Sequence, residues 1–142
     1  VQYGAAAYPS AAGGEVVVFY DYIEPFYVYV TSRRIAGIKS RKRALLMLSP
    51  IGEALASTKE MIDAAKQEKL LRDLNTKKKS FEFFWEHVRV VEAKKPGLLT
   101  GGHVKIYPAY GKPVKINVAA SSTFEKLVGA IQQVSPGKVA MV

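Results

Sequence analysis

The sequence predicts a small α+β domain, and three observations carry that prediction. Residues 15–31, EVVVFYDYIEPFYVYVT, are dense in β-branched and aromatic side chains, the composition of strands. Residues 103–118 hold two short alternating runs, HVKIY and PVKINV, on either side of a PAYGK turn. Elsewhere apolar residues recur three and four apart, the period of a helix with one buried face. At 142 residues the chain is near the commonest domain length, and such a domain can bury roughly 68–70% of its unfolded surface. One core therefore suffices for residues 15–142, behind an extended arm of residues 1–14.

The arm is rich in Ala, Gly and Pro, and it carries Tyr3 and Tyr8. Such a composition buries too little to order itself, so the arm is expected to lie along a neighbouring subunit or another partner. It lacks the basic region and continuous apolar run of a secretory signal. Residues 15–31 read as two strands meeting at Glu24-Pro25, or one strand bent there. Both faces of this stretch are apolar, which suggests a central strand, or an outer face covered by another chain. Tyr20, Tyr22, Tyr27 and Tyr29, with Tyr3 and Tyr8, are thus the candidate subunit interface. The same rings could stack on nucleobases, but no cation lies between residues 15 and 32 to hold the backbone beside them.

Helices are expected over about 41–48 and 50–75, separated at Ser49-Pro50, where serine caps and proline takes the first helical position. The longer helix has an apolar stripe of Ile51, Ala54, Leu55, Thr58, Met61, Ile62 and Ala65, swinging round to Leu70, Leu71 and Leu74. Lys77, Lys78 and Lys79 close it, where cations suit the negative end of the helix dipole. Residues 81–93 are ambiguous. Helical spacing groups Phe81, Phe84, Trp85, Val88 and Val91, whereas period two groups Phe81, Phe83, Trp85 and His87; a helix is the preferred reading. Lys94-Lys95-Pro96-Gly97 then reads as a stop and Thr100-Gly101-Gly102 as a loop. After the hairpin of 103–118, Ser122-Thr123-Phe124-Glu125 has the form of a capping box. The helix it opens, about 123–134, places Phe124, Leu127, Val128, Ile131 and Val134 on one face, and residues 138–142 can form a closing strand.

Hairpin, capped helix and short strand is the order of a β-grasp unit, and VKINVAASSTFEKLVGAIQQ resembles the second strand and helix of ubiquitin-like domains. The resemblance implies a β-grasp-like subdomain over 103–142, with Val114, Ile116 and Val118 in a strand. Thr123 and Phe124 would open the helix, and Leu127, Val128 and Ile131 would line the core. It covers under a third of the chain. The strand that such a unit still needs could come from residues 15–31, which would join everything into one sheet with the helices inserted.

Chemistry is constrained by what the chain lacks. With no cysteine there are no disulfides, thiolate metal sites or cysteine nucleophiles. The only histidines, His87 and His103, stand sixteen residues apart in no metal-binding spacing, and no Walker A, GxGxxG or GxSxG pattern occurs. No enzymatic activity, metal or cofactor is expected, and no run is long and apolar enough to span a membrane. Scarce Asn, Gln and Met lean toward a thermophilic source.

The formal charge is +9 and unevenly spread. No acid lies between Glu24 and Glu53, and that interval holds Arg33, Arg34, Lys39, Arg41, Lys42 and Arg43. Residues 97–142 set Glu125 alone against five lysines. If Arg33 and Arg34 end a strand and Arg41 to Arg43 begin a helix, both clusters border one loop, RIAGIKS, whose Gly37 would let a ligand approach the backbone. Cations in a first helical turn oppose the dipole, which points to an anionic partner that offsets the cost. Arginine, four of the six, is the better fork for phosphate oxygens. A solvated loop that serves only solubility has the same composition. The expected function is a non-enzymatic structural or assembly protein, a coat, nucleoid or ribonucleoprotein component, whose six cations bind DNA or RNA phosphates without reading sequence. The alternative is a subunit or adaptor of a larger assembly whose basic loop meets an acidic protein surface.

Overall fold

The computed structural model describes residues 14–39 and 62–142. Among these the strands are β1 (Val17–Ile23), β2 (Phe26–Thr31), β3 (Arg34–Lys39), β4 (Phe81–Phe84), β5 (Val88–Lys94), β6 (Gly102–Pro108), β7 (Val114–Val118) and β8 (Val139–Met141). Helix α1 (Ala64–Thr76) lies between β3 and β4, and α2 (Ser121–Val134) between β7 and β8. The strands form two four-stranded sheets, in the orders β1-β2-β3-β4 and β7-β6-β5-β8. All pairings are antiparallel except that of β5 with β8.

The alternation of residues 15–31 builds the first sheet. Phe19, Ile23, Val28 and Val30 point inward and join Ile35 of β3. Val17, Tyr29 and Ala36 point outward, where α1 covers them with Leu70, Leu71 and Leu74. Asp63 caps that helix, accepting from the Lys66 amide at 2.9 Å. The amide of Gln67 closes the exposed edge of β1, donating to the Val17 carbonyl at 2.7 Å and accepting from the Val17 amide at 2.8 Å. Both faces of β1 and β2 are apolar because each faces part of the same chain. Within this stretch β2 is a central strand of its sheet, whereas β1 lies at the edge.

The main core lies between the sheets. Val91 and Ala93 of β5, Val104 and Ile106 of β6, and Ile116 and Val118 of β7 meet the inner residues of the first sheet, and α2 contributes Phe124, Leu127, Ile131 and Val134. The sequence placed this helix and its apolar face correctly. Its start differs: α2 begins at Ser121 after Ala120, without a side-chain cap, so the Ser122–Glu125 capping box does not form.

Residues 81–93 are not a helix. They form β4, a single 3-10 turn over Trp85–His87, and β5. Phe81 and Phe83 follow the two-residue period inward, and β4 pairs with β3 from Gly37↔Phe81 to Arg34↔Phe84. The pairing satisfies a row of β3 amides and carbonyls that a helix would have left open. Trp85 turns the chain from one sheet to the other, its indole donating to the Thr31 carbonyl at 2.9 Å.

The single sheet joining 15–31 to 103–118 is likewise replaced by two. The third strand beside the β6–β7 hairpin is β5, from residues 88–94, and β8 closes the sheet on the far side of β5. The described part of the helix expected over 50–75 starts at Ala64. The helix expected over 41–48, residues 50–61 and the arm to residue 13 lie outside the described residues.

Candidate anion-binding face

The basic stretch is divided by its own secondary structure. RIAGIK, expected as a ligand-facing loop, is strand β3. Arg33 is exposed before it and Lys39 at its end, and six extended residues hold those ends roughly 20 Å apart. Arg34 is buried, 7% exposed. Its Nε donates to Glu15 Oε2 at 2.8 Å and its Nη2 to Glu15 Oε1 at 3.0 Å and Asn75 Oδ1 at 2.7 Å, while Nη1 donates to Glu82. All three guanidinium nitrogens are thus committed inside the protein. Two carboxylates surround one guanidinium, so the cluster offers nothing to a phosphate. Gly37 admits no ligand either, because a Cβ there would overlap the Phe81 ring. Its missing side chain is the space that Phe81 fills. Arg41, Lys42 and Arg43 lie outside the described residues.

Of the tyrosines singled out in β1 and β2, Tyr20, Tyr27 and Tyr29 pack in the cluster formed with α1. Tyr20 stacks on Tyr27 at 5.8 Å between centroids and meets Tyr29 at 4.9 Å, and Tyr22 meets Tyr27 at 5.0 Å. Tyr29 is buried against the helix leucines, with Tyr20 and Tyr27 packed around them. Burial, then neighbouring phenols and Asp73, push the Tyr20 and Tyr29 hydroxyls well above the ordinary phenol range. Tyr3 and Tyr8 lie outside the described residues.

The outer face of the second sheet is where described cations converge. On β6 the buried residues Val104 and Ile106 alternate with His103, Lys105 and Tyr107, and on β7 Ile116 and Val118 alternate with Lys115 and Asn117. The register sets Lys94, His103 and Asn117 in one row across β5, β6 and β7, and Glu92, Lys105 and Lys115 in the next. Lys105 and Lys115 therefore stand directly opposite each other. The Lys105 ammonium also lies 5.2 Å from the Tyr107 ring centroid. Glu92 is the acid of these rows, 3.5 Å from His103 Nε2. Among the described residues neither helix packs on this face: α1 covers the first sheet, and the buried side of α2 lies in the core.

At one end the face opens into a cleft of about 720 Å³ whose lining includes Lys94, His103, Lys115, Asn117, Glu24 and Thr123. Lys39 leaves β3 at the corresponding end of the first sheet, since it pairs with Phe26 beside the β1–β2 turn. Lys39 and the cleft therefore lie at one end of the molecule, with Arg33 at the other.

The two histidines are not brought together. His103 begins β6, whereas the His87 carbonyl accepts from Ala109 beyond its far end. Among the described residues no group of three or more His, Cys, Asp or Glu is placed to hold a metal ion, and no helix is long and apolar enough to cross a membrane. No protein-family model, curated protein or solved structure matches the chain.

Lys94, Lys105 and Lys115 were not singled out from the sequence. The signal present there was the lysine excess of residues 97–142 together with the alternation of HVKIY and PVKINV. Only the strand register shows that two of these lysines stand opposite each other.

Proposed function

We propose that this is a non-enzymatic structural or assembly protein that binds nucleic-acid phosphates without reading sequence. The observation that carries the reading is the cross-strand Lys105–Lys115 pair on a sheet face that, among the described residues, neither helix covers. Like charges directly opposite destabilise a sheet, and a polyanion laid over the face removes that repulsion. Lys94 extends the cationic surface to the cleft, beside His103 and Asn117, and Lys39 supplies a further cation at the same end. Lysine makes point contacts rather than forks, which suits a backbone held without base readout. In this reading Arg33 is a peripheral contact and Arg34 a structural residue.

The test is fluorescence anisotropy with single- and double-stranded oligonucleotides of unrelated sequence over a range of salt. Log affinity should fall linearly with log salt, at a slope of roughly −0.9 per neutralised phosphate for duplex and −0.7 for single strands. Lys105→Gln/Lys115→Gln should make the slope shallower by about two contacts. Binding that is flat in salt would sink the reading. An acidic protein that co-purifies through nuclease treatment and is lost in the same double variant would move the assignment to an adaptor whose basic face meets acidic protein.

A further inference from the structure

The β5–β6 connection carries the most exposed apolar side chains described. Leu98 is 103% exposed and Leu99 98%, as open as in an extended peptide. The loop that presents them is held at its base. The Gly97 amide donates to the Thr100 carbonyl at 2.8 Å, closing a tight turn with the two leucines at its tip. Gly102 lies so close to the Lys94 carbonyl and Pro96 that a Cβ could not be accommodated, and Lys94 pairs with His103 immediately below. Lys94 and Lys95 flank the turn and are exposed. Met141, 56% exposed, is opposite Ala93 at the same end of the sheet. From Glu92 to Glu125 the chain contains five lysines and no acid.

We infer that this loop is a membrane-docking element. Leu98 and Leu99 enter the acyl boundary of an anionic bilayer, and Lys94, Lys95 and Lys115 meet its headgroups. The charge pattern selects this occupant: Lys94, Lys95 and Lys115 stand about the apolar tip and outnumber Glu24, the acid that lines the cleft with Lys94 and Lys115, and this cationic excess complements an anionic sheet of lipid. A second copy of the chain would bring like charge against like charge. The side chains point the same way, because protein contacts concentrate their energy in Trp, Tyr and Arg, with Leu under-represented, whereas an acyl layer asks only for apolar surface. Two leucines and a few lysines give weak, reversible attachment, of the kind that needs both the apolar and the electrostatic contribution. The inference does not depend on nucleic-acid binding by the neighbouring sheet face.

Co-sedimentation with vesicles tests it, using phosphatidylcholine alone and with about one-third phosphatidylserine. The full chain should pellet with the anionic vesicles and much less with the neutral ones. Leu98→Ser/Leu99→Ser should weaken anionic-vesicle binding by roughly tenfold or more. Lys94→Gln/Lys95→Gln should weaken it by roughly ten- to thirtyfold, an effect that fades in high salt. Because both leucines are exposed, the serine variant should keep its thermal midpoint, which separates lost docking from lost fold. Absence of vesicle binding, or binding that the leucine substitutions leave unchanged, overturns the inference. So does a serine variant whose change is loss of self-association, since a second copy would then cover the loop. Oligonucleotide affinity of the serine variant should stay within about twofold of the parent, so either reading can fail while the other stands.

Discussion

Arg34 and Glu15 form a buried two-pronged pair, Nε to Oε2 at 2.8 Å and Nη2 to Oε1 at 3.0 Å, that ties the start of β3 to the residue two places before β1. Thr31 joins it. Its hydroxyl donates to Glu15 Oε2 at 2.7 Å and accepts from the Arg33 and Arg34 amides at 3.0 Å each. Glu82 of β4 and Asn75 of α1 complete the set. One guanidinium therefore fastens β3, β4, α1 and the entry to β1.

Removing that guanidinium leaves Glu15 buried and uncompensated. Arg34→Ala should destabilise the protein by about 3–5 kcal/mol in urea titration. Arg34→Lys should recover only part of this, because one ammonium cannot reproduce a planar fork with several fixed directions. In whatever fraction stays folded, oligonucleotide affinity should be unchanged, in contrast to substitutions on the lysine face.

Gly37 and Phe81 make a second coupled pair. They are opposite each other in the β3–β4 ladder, and the ring occupies the volume a Cβ would need. Gly37→Ala should cost roughly 1–3 kcal/mol through overpacking. Combining it with Phe81→Leu should give a smaller loss than the sum of the two single changes, a coupling that a double-mutant cycle in urea measures. Simple additivity would show that the strand tolerates a side chain at 37 without disturbing the ring.

These two pairs also show what could be read in advance. Strands β1, β2, β6 and β7 and the apolar face of α2 were legible because their alternation or three-four spacing is local, and both neighbours in each hairpin are close in sequence. β3 was hidden, since a run of cations reads as a solvated loop until Glu15 and Glu82 are known to stand beside Arg34. In residues 81–93 two periods fit the same aromatic residues, and only the open edge of β3 decided between them. The lysine face failed for a related reason: Lys105 and Lys115 are ten residues apart, and their opposition is a property of the β6–β7 register.

Asp21 gives a prediction in pH. Burial raises its carboxyl above the ordinary 3.8, outweighing the Tyr22 amide it accepts from and the charge of Lys126. A raised acid has its neutral form favoured by folding, so ionised Asp21 costs stability above the folded pKa, and the cost vanishes below the unfolded value. Asp21→Asn keeps an oxygen for the Tyr22 amide. It should raise the thermal midpoint near pH 7, with the gain shrinking to nothing as pH falls through about 4. A gain that persists at low pH would assign it to packing instead of charge.

Lys115→Glu separates the fold's interest from the proposed function's. Opposite Lys105, a carboxylate replaces like-charge repulsion with attraction, so the substitution should stabilise the protein by roughly 0.2–1 kcal/mol in denaturant. The same change removes one cation from the face and adds an anion, so oligonucleotide affinity should fall and the salt slope should become shallower by about one contact. Stability and binding therefore move in opposite directions. That divergence is what a cross-strand lysine pair retained for a polyanion requires. If stability rises and affinity holds, the nucleic acid does not lie on this face; if both fall, Lys115 is held by contacts other than its repulsion with Lys105.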